Sequence, residues 1–544
     1  MAEEKAEKKK TGVVKRIFKW TGLAVLAGLI LASLIFQAPW KVVGLLLIIL
    51  AACTVLPIRA RKWFWLGVGA VVLGCIVWVL LPDDRTGWRS YKFEKEQVAL
   101  EAERAVPDEE NAALIYMKLF TAEANDEASE PNFLCEERYE PTRREPWTSE
   151  DYPEVAEWLG KEEGTITKLM EASRLEKCRF KMSPDLTFFD EHTPILAEMR
   201  KWAYLLVRAG NNDIGEDRIN EGLEKYMAVL KMAGHQYQQP TMVDMLVGIG
   251  LEALAIMQFN RFIVEGAATE AYLGNIEDAV SEVRFDWDRD FGKIIEWEKL
   301  MAKNLFGRFY EINGEGRVRL SRDPTAEMRK CCEKQIIEQE NVQTEELLNR
   351  GWEHSYFVKK IIKTQTIMNW FCMPGTPQEA GAIIDRIYER CYPPDERGFS
   401  SKVKPPRFKL NYEYVMEQVI GTTDGAYHRV HEVYFRVTTD RKGNLILIAL
   451  RRFKNKEGVW PDGLKEIEPQ VSADVLVDPS NGGPFVYKLT GEGFMLYSRG
   501  NNNIDENGEY DVDYMGGKTA PDDWMIWSPR VQKATDERKD DEQQ

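Results

Sequence analysis

The sequence predicts a membrane-anchored, mainly α-helical protein that ends in a small α+β module. Three observations support this fold class. Three uncharged apolar runs stand near the start of the chain, helical periodicity of apolar residues dominates the middle, and turn signals flank two short apolar segments near the end. The 544 residues also leave room for two or three domains of roughly 150 residues beyond the membrane part.

Charge is distributed unevenly along the chain. The formal net charge is −16, but residues 1–90 carry 13 Lys and Arg against 5 Asp and Glu, a balance of +8, which leaves −24 for the rest. Nucleic-acid binding requires clustered basic side chains that neutralise phosphates. The strongly acidic balance after residue 90 therefore argues against nucleic acid as a partner.

The three apolar runs are predicted to be transmembrane helices. They are Trp20–Phe36, Val42–Ile58 and Trp63–Leu81, of 17, 17 and 19 residues, and none contains a charge. A helix needs about 17–25 residues to cross a hydrocarbon core of about 30 Å. A cleaved signal peptide is the alternative for the first run, but no clear small-x-small cleavage site precedes the second. We expect residues 17–82 to act as an anchor, because no run has an ionisable residue at its centre.

Basic residues predict the orientation of this anchor. The tail 1–16 and the connection Arg59–Lys62 are rich in Lys and Arg, whereas the connection Gln37–Lys41 has a single basic residue. The positive-inside rule therefore places the tail and the second connection in the cytoplasm. Three crossings then carry the rest of the chain out of it. We expect a multi-pass protein of the bacterial inner membrane with a large periplasmic domain, whose partners are the lipid bilayer and envelope proteins.

Residues 83–394 are predicted to form a helical extracytoplasmic domain, either a bundle or an irregular solenoid. Amphipathic periodicity predicts helices over Pro194–Ala209 and Asp213–Ala233, each ending at the glycine that follows. Thr241–Phe262 is apolar on nearly every side, and its two acids favour a central buried helix over a fourth membrane span. Later helices are predicted over Asp288–Tyr310, Pro324–Gln339, Val342–Phe371 and Pro377–Arg390.

Alternating acids precede one of these helices. Asp286, Asp288 and Asp290 offer oxygen ligands of the kind that divalent cations prefer, and they are the candidates for a carboxylate-dependent hydrolase. The alternative is that they cap the helix and interact with its dipole. Since the chain has no nucleophile elbow, phosphate loop or dinucleotide fingerprint, its catalytic residues, if it is an enzyme, stay unknown.

Histidines and cysteines give no complete metal site. His428 and His431 are three residues apart on a predicted helix, but a zinc site lacks a third ligand. Six cysteines lie beyond the membrane runs, and both disulfides and buried free thiols stay open for them. They are Cys135, Cys178, Cys331, Cys332, Cys372 and Cys391.

A linker over 395–408 is predicted to lead into an α+β module over 409–529, followed by a disordered charged tail over 530–544. Lys442–Lys456 has helical character and is followed by Gly458. Two strands, Phe485–Leu489 and Phe494–Ser498, are separated by glycines at a spacing typical of a hairpin.

The residues of this module resemble the C-terminal domain of the major pseudopilin of type II secretion, general secretion pathway protein G. The resemblance covers about 90 residues and is carried by Gly458, Pro461, Leu464, Asp478, Pro479, Pro484, Phe485, Tyr487, Phe494, Leu496, Ser498, Gly500, Asn501, Asp511 or Asp513, and Trp524. Glu110–Phe120 also resembles uncharacterised bacterial membrane-anchored proteins that place a helical ectodomain before such a tail. Pseudopilins have one N-terminal helix with a prepilin-peptidase site, whereas this chain has three runs and no such site.

The resemblance implies a calcium-binding loop near the end of the module, and the loop residues themselves point to calcium as the one candidate cofactor. Side-chain oxygens alternate before and after Gly508, as in the first half of an EF-hand loop, although Tyr514 stands where the closing Glu belongs. The alternative is a polar turn that binds no ion. The candidate ligands are Asn503, Asp505, Asn507, Asp511 and Asp513.

The expected function is that of a membrane-anchored extracytoplasmic scaffold or protein-interaction protein. Two alternatives stay open, a carboxylate-dependent envelope hydrolase and an accessory factor of a secretion system. The missing catalytic motifs favour a protein that is not an enzyme, and the resemblance of the last module suggests the secretion role.

Overall fold

The computed structural model describes the chain over residues 87–123, 131–183, 193–282, 284–320, 375–391, 424–491, 493–510 and 521–529. The three predicted membrane helices lie outside the described residues, as do the helices predicted over 324–339 and 342–371, the linker and the charged tail. The described part is mainly helical and has two small antiparallel sheets. This confirms the mainly α class predicted for it.

Twelve α-helices occur among the described residues. In chain order they are α1 (Glu94–Glu103), α2 (Ala113–Glu123), α3 (Pro141–Arg144), α4 (Pro153–Lys161), α5 (Glu163–Ser173), α6 (Thr193–Gly215), α7 (Ile219–Tyr237), α8 (Met242–Glu265), α9 (Glu270–Ser281), α10 (Trp287–Gly307), α11 (Pro377–Cys391) and α12 (Asp424–Glu457). The strands are β1 (Trp88–Ser90), β2 (Tyr310–Asn313), β3 (Val318–Leu320), β4 (Val486–Thr490), β5 (Gly493–Ser498) and β6 (Trp524–Trp527).

The chain divides into two compact units. Among the described residues, the first comprises 87–99, 183, 298–320, 375–391 and 424–428, and the second comprises 100–123, 131–182, 193–282, 284–297, 429–491, 493–510 and 521–529. The C-terminal strands therefore belong to the same unit as most of the helices.

The first unit contains the antiparallel sheet β1-β2-β3. The predicted helix Asp288–Tyr310 is too long at its end, because α10 stops at Gly307 and Tyr310 begins β2. A Cβ at Gly307 would lie 2.7 Å from the Tyr91 carbonyl oxygen, so the glycine permits a close backbone contact there. Lys303 on α10 is buried and its Nζ donates to carboxylates of Glu96 and Asp385, each at 2.8 Å.

The second unit is built around α6, α7 and α8, whose apolar faces form its core. The two glycines expected to end α6 and α7 lie inside them instead, since α6 continues through Gly210 to Gly215 and α7 continues through Gly234 to Tyr237. Gly210 faces Tyr226 and Gly222 of the next helix, where a Cβ would be too close to both. This glycine serves helix packing and does not terminate the helix.

Helix α8 is mostly buried, as predicted, and it is the one described helix that is long and apolar enough to cross a membrane. Its start explains the first of its two acids. Thr241 Oγ1 accepts a hydrogen bond from the Asp244 backbone N at 3.2 Å, and Asp244 Oδ2 accepts one from the Thr241 backbone N at 3.1 Å. This is a capping box, which satisfies two N–H groups that the helix itself leaves free.

We expect Thr241→Ala to lower the free energy of unfolding by about 1 kcal/mol, because it removes the capping side chain. Thr269→Ala is the matched control, since Thr269 precedes α9 but makes no capping hydrogen bond. Thermal denaturation of the purified full-length protein compares the two. Equal shifts in the two variants would contradict a capping role for Thr241.

The C-terminal helix and sheet extend beyond the predicted elements. Helix α12 has 34 residues and begins well before Lys442. The predicted hairpin is present as β4 and β5, and a third strand, β6, pairs antiparallel with β5 across a bulge at Leu496/Tyr497. A Cβ at Gly443 of α12 would lie 2.7 Å from two carbons of the Ile526 side chain. The glycine therefore lets β6 pack closely on the helix.

Candidate functional site

The predicted calcium loop follows β5, and its backbone explains two of its asparagines. Asn503 and Asn507 have φ values of 57° and 62°, in the left-handed region that Asn tolerates better than most side chains. Gly500 and Gly508 have φ values of 55° and 83°. The described part of the loop thus has a turn conformation that its residue types favour without an ion. Asp511 and Asp513 lie outside the described residues.

Two predicted ligands, Asp505 and Asn507, meet around a lysine from β4. Lys488 Nζ lies 3.2 and 3.1 Å from the two Asp505 carboxylate oxygens and 2.8 Å from Asn507 Oδ1. The Tyr497 hydroxyl donates to Asp505 Oδ1 at 2.7 Å. The hydrogen bond from Tyr497, followed by the contacts with Asn507 and Lys488, holds the pKa of Asp505 below its usual value. No short sequence pattern marks Lys488 or Tyr497 as part of this site.

Two further acids that the sequence analysis did not single out hold the loop through its backbone. Asp522 Oδ2 accepts from the N–H groups of residues 501 and 502 at 2.9 and 3.1 Å. Asp523 Oδ2 accepts from the N–H groups of residues 506 and 508 at 2.9 and 2.7 Å. The other oxygen of each carboxylate is buried and has no hydrogen-bond partner among the described residues. Burial raises the pKa of Asp522, and that of Asp523 to about 6.

Trp524, which the pseudopilin resemblance included, fastens β6 to helix α12. Its indole Nε1 donates to Asp440 Oδ1 at 2.7 Å. The Arg436 guanidinium lies 5.2 Å from the Trp524 ring centre and 5.1 Å from that of Tyr510, within the range of cation–π attraction. Burial raises the pKa of Asp440 to about 7, although the Trp524 hydrogen bond lowers it.

The raised pKa of Asp440 predicts a pH dependence of stability. Between about pH 4 and 7 the folded state keeps a proton that the unfolded chain has already lost, so stability falls as pH rises through this window. Asp440→Asn still accepts from Trp524 but does not titrate. We therefore expect the melting temperature of this variant to fall less than that of the wild type between pH 5 and 7.5.

The matched control for this experiment is Asp278→Asn, which changes an exposed acid of α9 in the same unit. Its melting temperature should follow the wild-type pH profile. Parallel profiles for the wild type and Asp440→Asn would contradict the proton uptake assigned to Asp440.

The alternating acids before α10 form its N-terminal cap. Asp286 Oδ1 accepts from the Arg289 backbone N at 2.9 Å, and Asp290 Oδ2 accepts from the Asp286 backbone N at 3.1 Å. Arg289 Nη2 also donates to Asp290 at 2.6 Å. Asp288 lies in the first turn of the helix, where a negatively charged carboxylate interacts favourably with the helix dipole. Asp286 and Asp290 therefore cap the helix, which was the alternative to cation binding.

The two C-terminal histidines both lie on α12, as predicted. His431 packs its ring against Trp287 and Phe435, with ring centres 4.6 and 4.5 Å apart, and so belongs to an aromatic cluster. Within the described ranges, no group of three or more His, Cys, Asp and Glu side chains is arranged to hold a metal ion. Of the six cysteines, Cys135 is exposed, Cys178 is buried, and both are free thiols.

The second acid of α8, Glu252, is the centre of a buried polar cluster. Arg441 of α12 donates to Glu252 Oε1 through Nε at 2.8 Å and through Nη2 at 2.6 Å. The hydroxyl of Tyr237, the last residue of α7, donates to Glu252 Oε2 at 2.6 Å. Glu252 is 1% exposed and Arg441 is 6% exposed. The cluster ties three helices of the second unit together.

The residues that carry the pseudopilin resemblance have structural roles in turns and strands. Asp478 is fully buried, and its carboxylate accepts from the Ser480 backbone N, the Asn481 side chain and the Ser498 hydroxyl at 2.9, 2.7 and 2.6 Å. The Tyr487 hydroxyl donates to the Pro461 carbonyl at 2.8 Å. These bonds hold the segment before β4 onto the hairpin.

The chain matches no protein-family model, and no curated protein or solved structure is significantly similar to it.

Proposed function

We propose that this protein is a membrane-anchored extracytoplasmic scaffold or interaction protein. The proposal rests on one observation, the three uncharged apolar runs with basic flanks that precede a domain of net charge −24. This order is typical of an anchor followed by an exported body, which meets partners in the envelope and at the bilayer surface.

Buried polar side chains in the second unit are engaged in hydrogen bonds that hold the fold together, as the environment of His235 shows. His235 Nε2 donates to the Leu175 carbonyl at 2.7 Å, and its Nδ1 accepts from the Tyr116 hydroxyl at 2.9 Å. Burial lowers the pKa of His235 to about 4, so the ring is neutral at pH 7. A neutral histidine with both nitrogens bonded holds three segments together and has no free nitrogen for acid–base chemistry.

Helix α2 offers an apolar surface for a protein partner. Leu114 and Met117 lie one turn apart on its outer side, and each is 39% exposed. Contiguous exposed apolar patches mark interaction sites, whereas single exposed apolar residues need no explanation. Leu114 and Met117 are an adjacent pair, and the proposal takes them as the apolar part of a contact surface. We propose that this side of α2 contacts an envelope protein.

The native thiol of Cys135 provides a test of the topology. In intact spheroplasts, a membrane-impermeant maleimide is expected to label Cys135, as read by mass spectrometry of the peptide, and Cys135→Ser is the control. Labelling of this peptide only after the membrane is permeabilised would place the domain in the cytoplasm and overturn the proposal.

Site-specific photocrosslinking tests the interaction surface. A photoreactive amino acid in place of Met117 is expected to give a discrete higher-mass adduct in cells. The same photoreactive amino acid in place of Lys161, an exposed residue of α4, is the control. Adducts of equal yield at both positions, or none at Met117, would contradict a partner on α2.

An accessory role in secretion is the second candidate function. It is favoured by the resemblance of the last module to the major pseudopilin, whose order of helix, hairpin and polar loop begins here with α12, β4 and β5. If the adduct formed at Met117 contains a component of a secretion system, this candidate replaces the general scaffold. The envelope hydrolase draws no support from Asp286 and Asp290, whose carboxylates accept the hydrogen bonds that cap α10.

A further inference from the structure

We propose that the ammonium group of Lys488 takes the place of a metal ion in the loop that contains Asp505 and Asn507, so that this loop folds without calcium. The inference concerns the C-terminal sheet alone and is independent of the proposed function. The cation that contacts these loop oxygens is then the ammonium of Lys488 on the neighbouring strand β4, and not the calcium ion that the sequence predicted.

The ammonium lies where the described oxygens of the loop converge. It contacts both oxygens of the Asp505 carboxylate and the amide oxygen of Asn507, at 2.8 to 3.2 Å. Calcium requires six to eight oxygens at 2.3–2.6 Å. An ion held by Asp505 and Asn507 would therefore lie beside the ammonium, and the two cations would repel each other. For this reason calcium does not fit the oxygens of Asp505 and Asn507 while Lys488 is in place.

The hairpin positions Lys488 for this contact. Lys488 on β4 is paired with Met495 on β5, so it shares a face of the sheet with Tyr497, two residues further along β5. The ammonium lies 5.2 Å from the centre of the Tyr497 ring, and the hydroxyl of the same ring donates to Asp505. Lys488 on β4 and Tyr497 on the paired strand β5 therefore both contact the carboxylate of Asp505.

The rest of the described loop is held by the protein's own groups. Asp522 and Asp523 accept four backbone N–H groups from residues 501–508, which fixes the path of the chain. Asn503 and Asn507 supply the left-handed backbone positions. A metal ion is therefore not required to gather these residues, which is the usual contribution of calcium to such a loop.

Lys488→Met tests the proposal in the purified full-length protein. Terbium emission sensitised by nearby aromatic rings, and its displacement by calcium, reports binding, while melting temperature in EDTA and in millimolar calcium reports stability. The wild type is expected to show no saturable calcium binding and no calcium-dependent shift. Lys488→Met is expected to melt lower in EDTA and to bind calcium saturably, with a Kd at least tenfold below the highest calcium concentration at which the wild type shows no saturation. A tenfold excess of calcium over its Kd would then raise its melting temperature by roughly 2–4 °C.

Three further variants separate the charge of Lys488 from its packing. Lys488→Arg keeps a cation at this position and should behave as the wild type, whereas Lys488→Gln should gain calcium binding as Lys488→Met does. Lys465→Met removes an exposed lysine of the same unit and controls for the lower net positive charge. Saturable calcium binding by the wild type would overturn the proposal. So would calcium responses of Lys488→Met and Lys488→Gln that do not exceed that of Lys465→Met.

Discussion

Replacing Glu252 with methionine is expected to lower the free energy of unfolding of the second unit by about 3–5 kcal/mol. The carboxylate is 1% exposed and accepts two hydrogen bonds from Arg441 and one from Tyr237. Its removal leaves a buried guanidinium and a buried hydroxyl without their acceptor. An uncompensated charge of this kind is among the most destabilising changes that a single substitution makes.

The double variant Glu252→Met/Arg441→Met separates the cost of an unpaired charge from the value of the pair. Buried ion pairs often contribute little net stability, because desolvation of both ions offsets their attraction. We therefore expect the double variant to recover most of the stability that Glu252→Met loses. A double variant that is less stable than Glu252→Met would contradict this explanation and show that Arg441 contributes through other contacts.

Glu157→Met is the control for these variants. Glu157 also pairs with a basic residue, Lys161, at 2.8 Å, but both side chains are about 70% exposed. An exposed pair on one helix contributes little to stability, since water solvates both ions. Urea unfolding of the full-length protein, followed by tryptophan fluorescence, is expected to show a small shift for this control and a large one for Glu252→Met.

The elements that sequence analysis predicted well are those whose signal is local. The continuous apolar run of α8 and the glycines of the β4–β5 hairpin both lie within a few residues of the structure that they determine. The first half of α12 was not included in the helix predicted around Lys442–Lys456, because short apolar stretches are interspersed with polar residues from His428 to Arg441 and no turn signal marks a start. Contacts with other elements hold the middle of this helix, where Arg441 pairs with Glu252 and Asp440 accepts from Trp524.

The candidate site shows the same division between local and long-range information. The spacing of Asn503 and Asn507 marked them as candidate calcium ligands, with a polar turn as the alternative, and the structure places both at turn positions. Lys488, the group that contacts the loop oxygens, lies 17 residues before Asp505 and reaches it only because the hairpin brings the two segments together. Asp523 reaches the loop through the pairing of β6. Strand pairing over such distances is not encoded in any short pattern of residues.

Glycine can end a helix or allow two helices to pack closely, and Gly210 does the second. The sequence suggested a helix end, but the helix continues and crosses α7 at this point. A Cβ at Gly210 would lie 2.6 Å from Tyr226 Cε1 and 3.1 Å from the Gly222 carbonyl oxygen. Tyr226 is 1% exposed, and its hydroxyl donates to Asn211, so the ring has no free space to move into.

Gly210→Ala is therefore expected to lower the free energy of unfolding by about 1–3 kcal/mol, the usual cost of overpacking a tight contact. Helix propensity acts in the opposite direction, because alanine is favoured over glycine by about 1 kcal/mol inside a helix. Gly250→Ala measures the helix-propensity contribution alone. Gly250 lies inside α8 and is exposed, and no described atom lies within 4 Å of the place that an added methyl group would occupy. Gly250→Ala should stabilise the protein by about 0.5–1 kcal/mol. If both alanine variants raised the melting temperature, α6 and α7 would not approach each other as closely at Gly210 as described.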